Sequence, residues 1–116
     1  MSEPAIAIGD KLHIITRRRF ENDLRRHFVG EVIGISGDLQ LVQGFGFVFV
    51  VGANEFHKLP EQRTRLFSLG QDGLIVNKIP STVAISSLEY RVQDRRLVVT
   101  DGKHFALDIN EFGGAR

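Results

Sequence analysis

The sequence predicts an all-β fold, built as a small barrel or roll. Three observations support this prediction. Runs of β-branched and aromatic residues, about seven or eight in number, are separated by turn signals that contain glycine and aspartate. The chain contains nine Phe and twelve Gly, a composition that favours strands and tight turns. No segment shows the sustained 3.6-residue periodicity of an amphipathic helix.

Length and composition limit the classes of protein to consider. With 116 residues, the chain is expected to form a single domain over residues 1–116 with a core of its own. The absence of cysteine excludes disulfides, zinc–thiolate sites and thiol nucleophiles. A net charge of +1 is too balanced to indicate nucleic-acid binding by charge alone. No signal peptide or membrane-spanning segment is visible, so a cytoplasmic location is expected.

The first strand is predicted at residues 11–16, and the central element is a hairpin at residues 28–51. Its two strands are joined by Ser36-Gly37-Asp38-Leu39, a run of small and polar residues typical of a tight turn. Apolar residues occupy both parities of the second strand, 39–51. This pattern predicts that both faces of the strand are buried. The strand would then be a central strand of a sheet, part of a barrel wall, or a strand covered by a partner subunit.

Two glycines, Gly44 and Gly46, interrupt this second strand. Glycine in a strand can mark a sharp bend, as a small barrel requires. It can also make room for phenylalanine side chains from a neighbouring strand. The sequence leaves both interpretations open.

The remaining elements are shorter, and residues 52–62 form a polar connection that leads to them. Residues 81–87 fit either a strand or a helical turn capped by Ser81. The clearest hairpin signal is Asp101-Gly102, because Asp-Gly favours a type I′ turn. The predicted strands are at residues 64–69, 74–79, 88–92, 97–100 and 103–109.

A search for catalytic chemistry finds no recognisable motif. Nucleophilic triads, paired histidines on one helix face and phosphate-binding glycine loops are all absent. Each histidine falls in a different element, and none has the spacing that places two metal ligands on one face; the four are His13, His27, His57 and His104. We therefore expect no catalytic residues, no metal site and no cofactor, and we do not expect an enzyme.

The densest basic cluster lies at residues 17–27, which also contain Glu21 and Asp23. Its arginines are Arg17, Arg18, Arg19, Arg25 and Arg26. The guanidinium fork matches phosphate oxygens, so the cluster is a candidate nucleic-acid contact. A solvated hairpin loop with local ion pairs explains the same residues, and the sequence leaves both hypotheses open.

Residues 30–42 carry one glycine followed by apolar residues at fixed spacing: Gly30, Val32, Ile35, Leu39, Leu41 and Val42. This pattern resembles the first motif of the Sm-like family of small β-barrels, an apolar spacing that SH3-like barrels share. Ser36 and Gln40 stand where the family carries Asp and Asn. The second family motif would fall within residues 75–86, where this chain has no Arg-Gly.

The resemblance implies a strongly bent five-stranded barrel over residues 12–86 that assembles into a ring by pairing edge strands. It also implies binding of single-stranded RNA at the pore of the ring. By position in the motifs, Gln40 would contact the RNA, with Lys78 or Asn77 in place of the missing arginine. The hairpin at residues 88–112 would be an addition to the family fold.

Self-association is expected from residues 45–51, an apolar strand without charge or proline. Such a strand is an aggregation hazard if its edge stays open, so Phe45, Phe47 and Phe49 are predicted at the interface of a closed homo-oligomer. The leading hypothesis is a non-catalytic, self-associating Sm-like or SH3-like barrel, with RNA as a candidate ligand. Two alternatives remain: a single-stranded nucleic-acid binder through the arginine cluster, and a structural or protein-interaction module that binds no nucleic acid.

Overall fold

The computed structural model describes residues 5–17, 25–50, 52–53, 55–70 and 73–109, and it confirms the all-β class. A single 3-10 turn at Ile85–Ser87 is the helical element of these ranges. No helix in them has the length and apolarity needed to cross a membrane. The strands are β1 (Lys11–Thr16), β2 (Arg26–Ser36), β3 (Leu39–Val50), β4 (Glu55–Lys58), β5 (Arg63–Ser68), β6 (Leu74–Ile79), β7 (Glu89–Gln93), β8 (Arg96–Thr100) and β9 (Ala106–Asp108).

Six strands form one antiparallel sheet in the order β4-β3-β2-β1-β6, with β5 also paired to β3. The long strand β3 pairs with β2 on one edge. On its other edge, residues 39–44 pair with β5 and residues 47–50 pair with β4. Among the described strands, β5 pairs with β3 alone and β6 pairs with β1 alone. These strands therefore do not form the closed barrel that the sequence predicted, because the sheet stays open between β5 and β6.

The two glycines of β3 have different structural roles. Gly44 lies opposite Gly30, and a Cβ on Gly44 would stand 1.9 Å from the carbonyl oxygen of Val29. A side chain at Gly44 is excluded because the backbones of β2 and β3 approach too closely. Gly46 lies opposite Phe28, and a Cβ there would meet no backbone atom closer than 4.0 Å. A Cβ at Gly46 would also stand 3.9 Å from Phe28 Cδ1, an ordinary contact, so the phenylalanine opposite does not by itself require glycine here.

The six-stranded sheet is covered on both faces within one chain. Residues on the face that we call the inner face form one core: Leu12, Ile14, Phe28, Val32 and Val42. Residues on the opposite face, the back face, form a second core with the C-terminal residues: Val29, Phe47, Ile79, Val83, Leu88, Val99 and Ile109. A three-stranded sheet in the order β7-β8-β9 packs on the back face. This intramolecular cover accounts for most of the apolar residues on the two faces of β3, while Leu39 and Leu41 remain exposed.

The turns of the C-terminal sheet correct one sequence prediction. The two-residue turn with positive φ at both positions joins β7 to β8 at Asp94 and Arg95, with φ of 52° and 66°. Asp101-Gly102 was predicted to form such a turn, and this prediction is wrong. The Asp101 carboxylate instead accepts hydrogen bonds from the backbone N–H groups of Lys103, His104 and Phe105. These bonds favour a longer loop at residues 101–105, because an aspartate side chain readily satisfies nearby backbone donors.

Two lysines of the large sheet hold residues 81–88, the segment that leads from the large sheet to the three-stranded sheet, by hydrogen bonds to its backbone. Lys11 Nζ donates to the carbonyl oxygens of Ser81 and Val83, and Lys58 Nζ donates to those of Ser86 and Leu88. The segment contains a 3-10 turn whose N-cap, Ala84, makes no side-chain capping bond, so the expected cap at Ser81 is not formed. The connection at residues 52–62, predicted as polar loop, includes β4 and thereby supplies Lys58.

Candidate functional site

A cleft of about 650 Å³ lies on the inner face of the large sheet. It lies between β5 and the adjoining parts of β1, β2 and β3, with Leu59 also at its wall. The side chains that matter most for its chemistry are Arg26, Phe28, Leu59, Arg65 and Phe67. We call this feature the Arg26–Arg65 cleft.

Strand alternation places these groups together. Arg26 lies opposite Val48, and the next in-phase pair along the two strands is Phe28 opposite Gly46. Because directly paired residues share a face of the sheet, all four lie on the inner face. On β5, Arg65 and Phe67 alternate in the same way and pair with inner-face positions of β3. The strands β2 and β5, which lie on opposite sides of β3, therefore each contribute one arginine and one phenylalanine to the same cleft.

The two arginines of the cleft have no anionic partner among the described residues. Arg26 and Arg65 are both exposed and take part in no ion pair there. Three other arginines do pair with carboxylates: Arg63 with Glu61, Arg91 with Glu89, and Arg96 with Asp108. Both guanidinium groups are solvent-exposed, and their planar forks suit phosphate or carboxylate oxygens.

The floor of the cleft is apolar and aromatic. The rings of Phe28 and Phe67 meet with centroids 5.5 Å apart and planes inclined by 50°. Phe28 is buried, whereas Phe67 stays partly exposed. Leu59 is held at the wall by a hydrogen bond of 2.8 Å from its backbone N–H to the Gly46 carbonyl oxygen. Arginines above an aromatic floor form an amphipathic site for a ligand that combines negative charge with a flat apolar group.

The back face, directly behind the cleft, carries a buried hydrogen-bonded chain. Asn77 Nδ2 donates to His13 Nδ1 at 3.3 Å, so the imidazole proton of His13 resides on Nε2. That Nε2 donates to the Tyr90 hydroxyl at 2.8 Å, and the hydroxyl in turn donates to His27 Nδ1. The chain joins β6, β1 and β2 to β7, so it fastens the C-terminal sheet to the large sheet.

Burial holds this chain in its uncharged form. Desolvation, helped by the neighbouring His27, lowers the pKa of His13 to about 3. Desolvation, helped by Arg25, lowers the pKa of His27 to about 4. Burial also raises the pKa of the Tyr90 phenol well above its usual value. All three groups are therefore neutral at physiological pH and act as hydrogen-bonding core residues.

The predicted arginine cluster is divided by the structure. Arg26 lies in the cleft, while Arg25 stands over the ring of Phe49 at 5.5 Å from its centroid. Arg17 is exposed beyond β1, where its backbone N–H donates to Gly73. Arg18 and Arg19 lie outside the described residues.

The positions chosen from the family resemblance do not converge. Gln40 is buried at 4% exposure opposite Phe67, and its Oε1 has no hydrogen-bond partner among the described residues. Lys78 is exposed on β6 and forms an ion pair with Asp10 at 3.3 Å. Asn77 belongs to the back-face chain described above. None of these three side chains lines the cleft.

The three phenylalanines predicted at an oligomer interface are largely engaged within the chain. Phe47 is 1% exposed and stacks on Tyr90, so a partner could reach its side chain only if the C-terminal sheet moved away. Phe45 is half-buried under Lys58, whose Nζ lies 4.7 Å from the ring centroid. Phe49 is half-buried between Arg25 and Phe56.

Sequence reasoning missed the contribution of β5 to the site. Arg65 and Phe67 have the same parity in the run Arg63–Ser68, which is a signal that they share a face. The missing information was the pairing of β5 with β3, which brings that face over Arg26 and Phe28.

No cluster of three or more His, Cys, Asp or Glu side chains in the described ranges is arranged to hold a metal ion. Comparisons with family models, with curated proteins and with solved structures gave no match to this chain.

Proposed function

We propose that this protein is a non-catalytic binding module for single-stranded nucleic acid, and that the Arg26–Arg65 cleft is its binding site. The observation that carries the proposal is the pair of arginines, unpaired with any carboxylate of the described residues, placed over an aromatic floor. Phosphate oxygens would accept hydrogen bonds from the guanidinium groups. A base would pack on the exposed part of Phe67, since every base offers a face for stacking.

A single strand fits this site better than a duplex. The apolar groups lie at the bottom of a concave cleft rather than on a ridge, so a base must leave its own stack to reach them. Unpaired bases can be splayed out in this way, whereas paired bases are already stacked and bonded. Arginine and phenylalanine at one site form the combination of backbone contact and stacking that sequence-tolerant single-strand binders use.

Fluorescence anisotropy with a labelled single-stranded RNA at low salt tests this proposal. The wild-type protein should bind, and Arg26→Gln combined with Arg65→Gln should weaken binding by about tenfold or more, because each lost charge-assisted contact is worth about 1 kcal/mol or more. The matched control is Arg91→Gln combined with Arg95→Gln, which removes the same charge from the C-terminal sheet. Equal loss in both double variants, or preference of the cleft for an acidic peptide over RNA, would contradict the proposal.

We also propose self-association of a half-open, SH3-like or Sm-like roll, as a second property of the module. Two observations support it. The strand order β5-β3-β2-β1-β6 leaves β5 and β6 as edges without a described partner. Beside the β5 edge, exposed leucines adjoin one another, with Leu41 and Leu66 directly paired and Leu39 on the same face. An open edge flanked by apolar side chains favours pairing with another copy of the chain.

A further inference from the structure

Gly46 occupies a special place in the Arg26–Arg65 cleft. It lies in the cleft wall, opposite Phe28, and the position that its Cβ would take lies in a gap between Leu59 Cδ1 at 3.4 Å and Phe28 Cδ1 at 3.9 Å. The next inner-face pair along the strands is Arg26 opposite Val48. Two residues along a strand span about 6.6 Å, so Gly46 stands one such step from the Arg26 position.

The fold does not require glycine at this position. Gly46 does not have the positive φ that would favour glycine. A Cβ there would lie 3.4 Å from Leu59 Cδ1, an ordinary contact with a flexible side chain. Glycine inside a strand lowers stability relative to a residue with a side chain. What the glycine leaves in the cleft wall is a gap between the side chains of Leu59 and Phe28 that reaches the backbone of β3.

We propose that Gly46 is the seat of one unstacked base, and this inference rests on the nucleic-acid function proposed above. The base would lie over the glycine backbone, bordered by Leu59 and Phe28, while the phosphate of the same nucleotide reaches Arg26. Glycine permits the close approach of a flat ligand to the backbone, which any larger side chain prevents. A side chain at Gly46 would therefore hinder binding of the base but not of the sugar–phosphate backbone.

The test uses Gly46→Leu with Gly34→Leu as its matched control. Gly34 lies in the same hairpin, has no positive φ, and a Cβ there would also stand 3.4 Å from its nearest neighbour, Leu41. The probes are a labelled oligouridine strand and an abasic strand of the same length. Gly46→Leu should weaken binding of the oligouridine about fivefold or more, the equivalent of about 1 kcal/mol of lost stacking. It should leave binding of the abasic strand unchanged, and Gly34→Leu should affect neither probe.

The outcomes separate this inference from the proposed function. If wild-type protein binds oligouridine and Gly46→Leu binds it equally well, the base seat is wrong while the binding function stands. An equal loss of affinity for both probes would also overturn the base seat, because a leucine that blocks only a base spares the phosphates. Failure of the wild type to bind either probe would overturn both proposals. Gly46→Ala, which needs no backbone movement, should weaken oligouridine binding in the same direction and carries the test if the leucine variant does not fold.

Discussion

The ring of Tyr90 stacks on the ring of Phe47, with centroids 4.4 Å apart and planes 8° from parallel. Phe47 follows Gly46 of the cleft directly in β3, so the two residues face opposite sides of the same strand. The C-terminal sheet is thereby packed against the backbone that forms the wall of the cleft. The stacking of Phe47 on Tyr90 and the shape of the cleft therefore both depend on residues 46–47 of β3.

The hydroxyl of Tyr90 should contribute measurably to stability. Tyr90→Phe keeps the stacked ring but removes the partner of both His13 and His27. We expect it to lower the free energy of unfolding by about 1–3 kcal/mol, the cost of leaving buried polar groups unsatisfied. Tyr90→Ala also loses the stack and should cost about 3–5 kcal/mol. Urea denaturation measures both, and a Tyr90→Phe variant as stable as the wild type would contradict the hydrogen-bonded chain.

Acid should destabilise the fold through the same chain. The unfolded chain protonates His13 and His27 below about pH 6.5. In the folded protein these side chains stay neutral down to about pH 3 and about pH 4, respectively. The unfolded state therefore binds more protons in this window, and stability rises with pH through it. At pH 5 each histidine should cost about 2 kcal/mol relative to pH 7.

Urea denaturation at pH 7, 6 and 5 measures this dependence, with His27→Gln as the comparison. The variant removes one of the two buried imidazoles, so its stability should change less steeply between pH 7 and 5. A wild-type free energy of unfolding that stays constant over this range would contradict the buried neutral state of the two histidines.

The two glycines of β3 should respond differently to alanine. Gly44→Ala places a Cβ 1.9 Å from the Val29 carbonyl oxygen, so β2 and β3 must separate. We expect a loss of about 3 kcal/mol or more, or failure to fold. Gly46→Ala meets only side chains at ordinary distances and should be neutral or stabilising by up to about 1 kcal/mol. Thermal unfolding of the pair provides the comparison, and equal destabilisation would contradict the assigned roles.

Local sequence patterns predicted the strands well but not how distant strands meet. Alternating apolar residues and turn glycines located β1, the β2–β3 hairpin and most of the shorter strands, because these signals act over a few residues. Arg26 was a candidate from its local charge density. Arg65 was not, since its place in the cleft depends on the pairing of β5 with residues 39–44 of β3. The C-terminal cover on Phe47 is likewise a long-range contact that periodicity cannot distinguish from cover by another subunit.

Self-association should depend on the exposed leucines beside β5. Light scattering at micromolar protein should give a mass above the 13.0 kDa of one chain. Leu41→Lys combined with Leu66→Lys should lower that mass, because a lysine on the edge strand β5 and another beside it oppose strand pairing. Ile8→Lys, on another exposed apolar residue, serves as the control and should leave the mass unchanged. A wild-type protein that stays monomeric across this concentration range would contradict self-association.

The most direct test of the central claim is the salt dependence of single-stranded RNA binding, measured by anisotropy between 50 and 200 mM salt, roughly the range over which counterion release is resolved. For a single strand, log K falls against log salt concentration with a slope of about −0.7 per phosphate contacted. We expect a clear negative slope for the wild type, and a slope shallower by about 1.4 when Arg26 and Arg65 are both replaced by Gln, since two phosphate contacts are lost. The Arg91→Gln, Arg95→Gln control should keep the wild-type slope. Identical slopes in wild type and the Arg26, Arg65 variant, or no detectable binding at the lowest salt, would contradict a nucleic-acid site in the cleft.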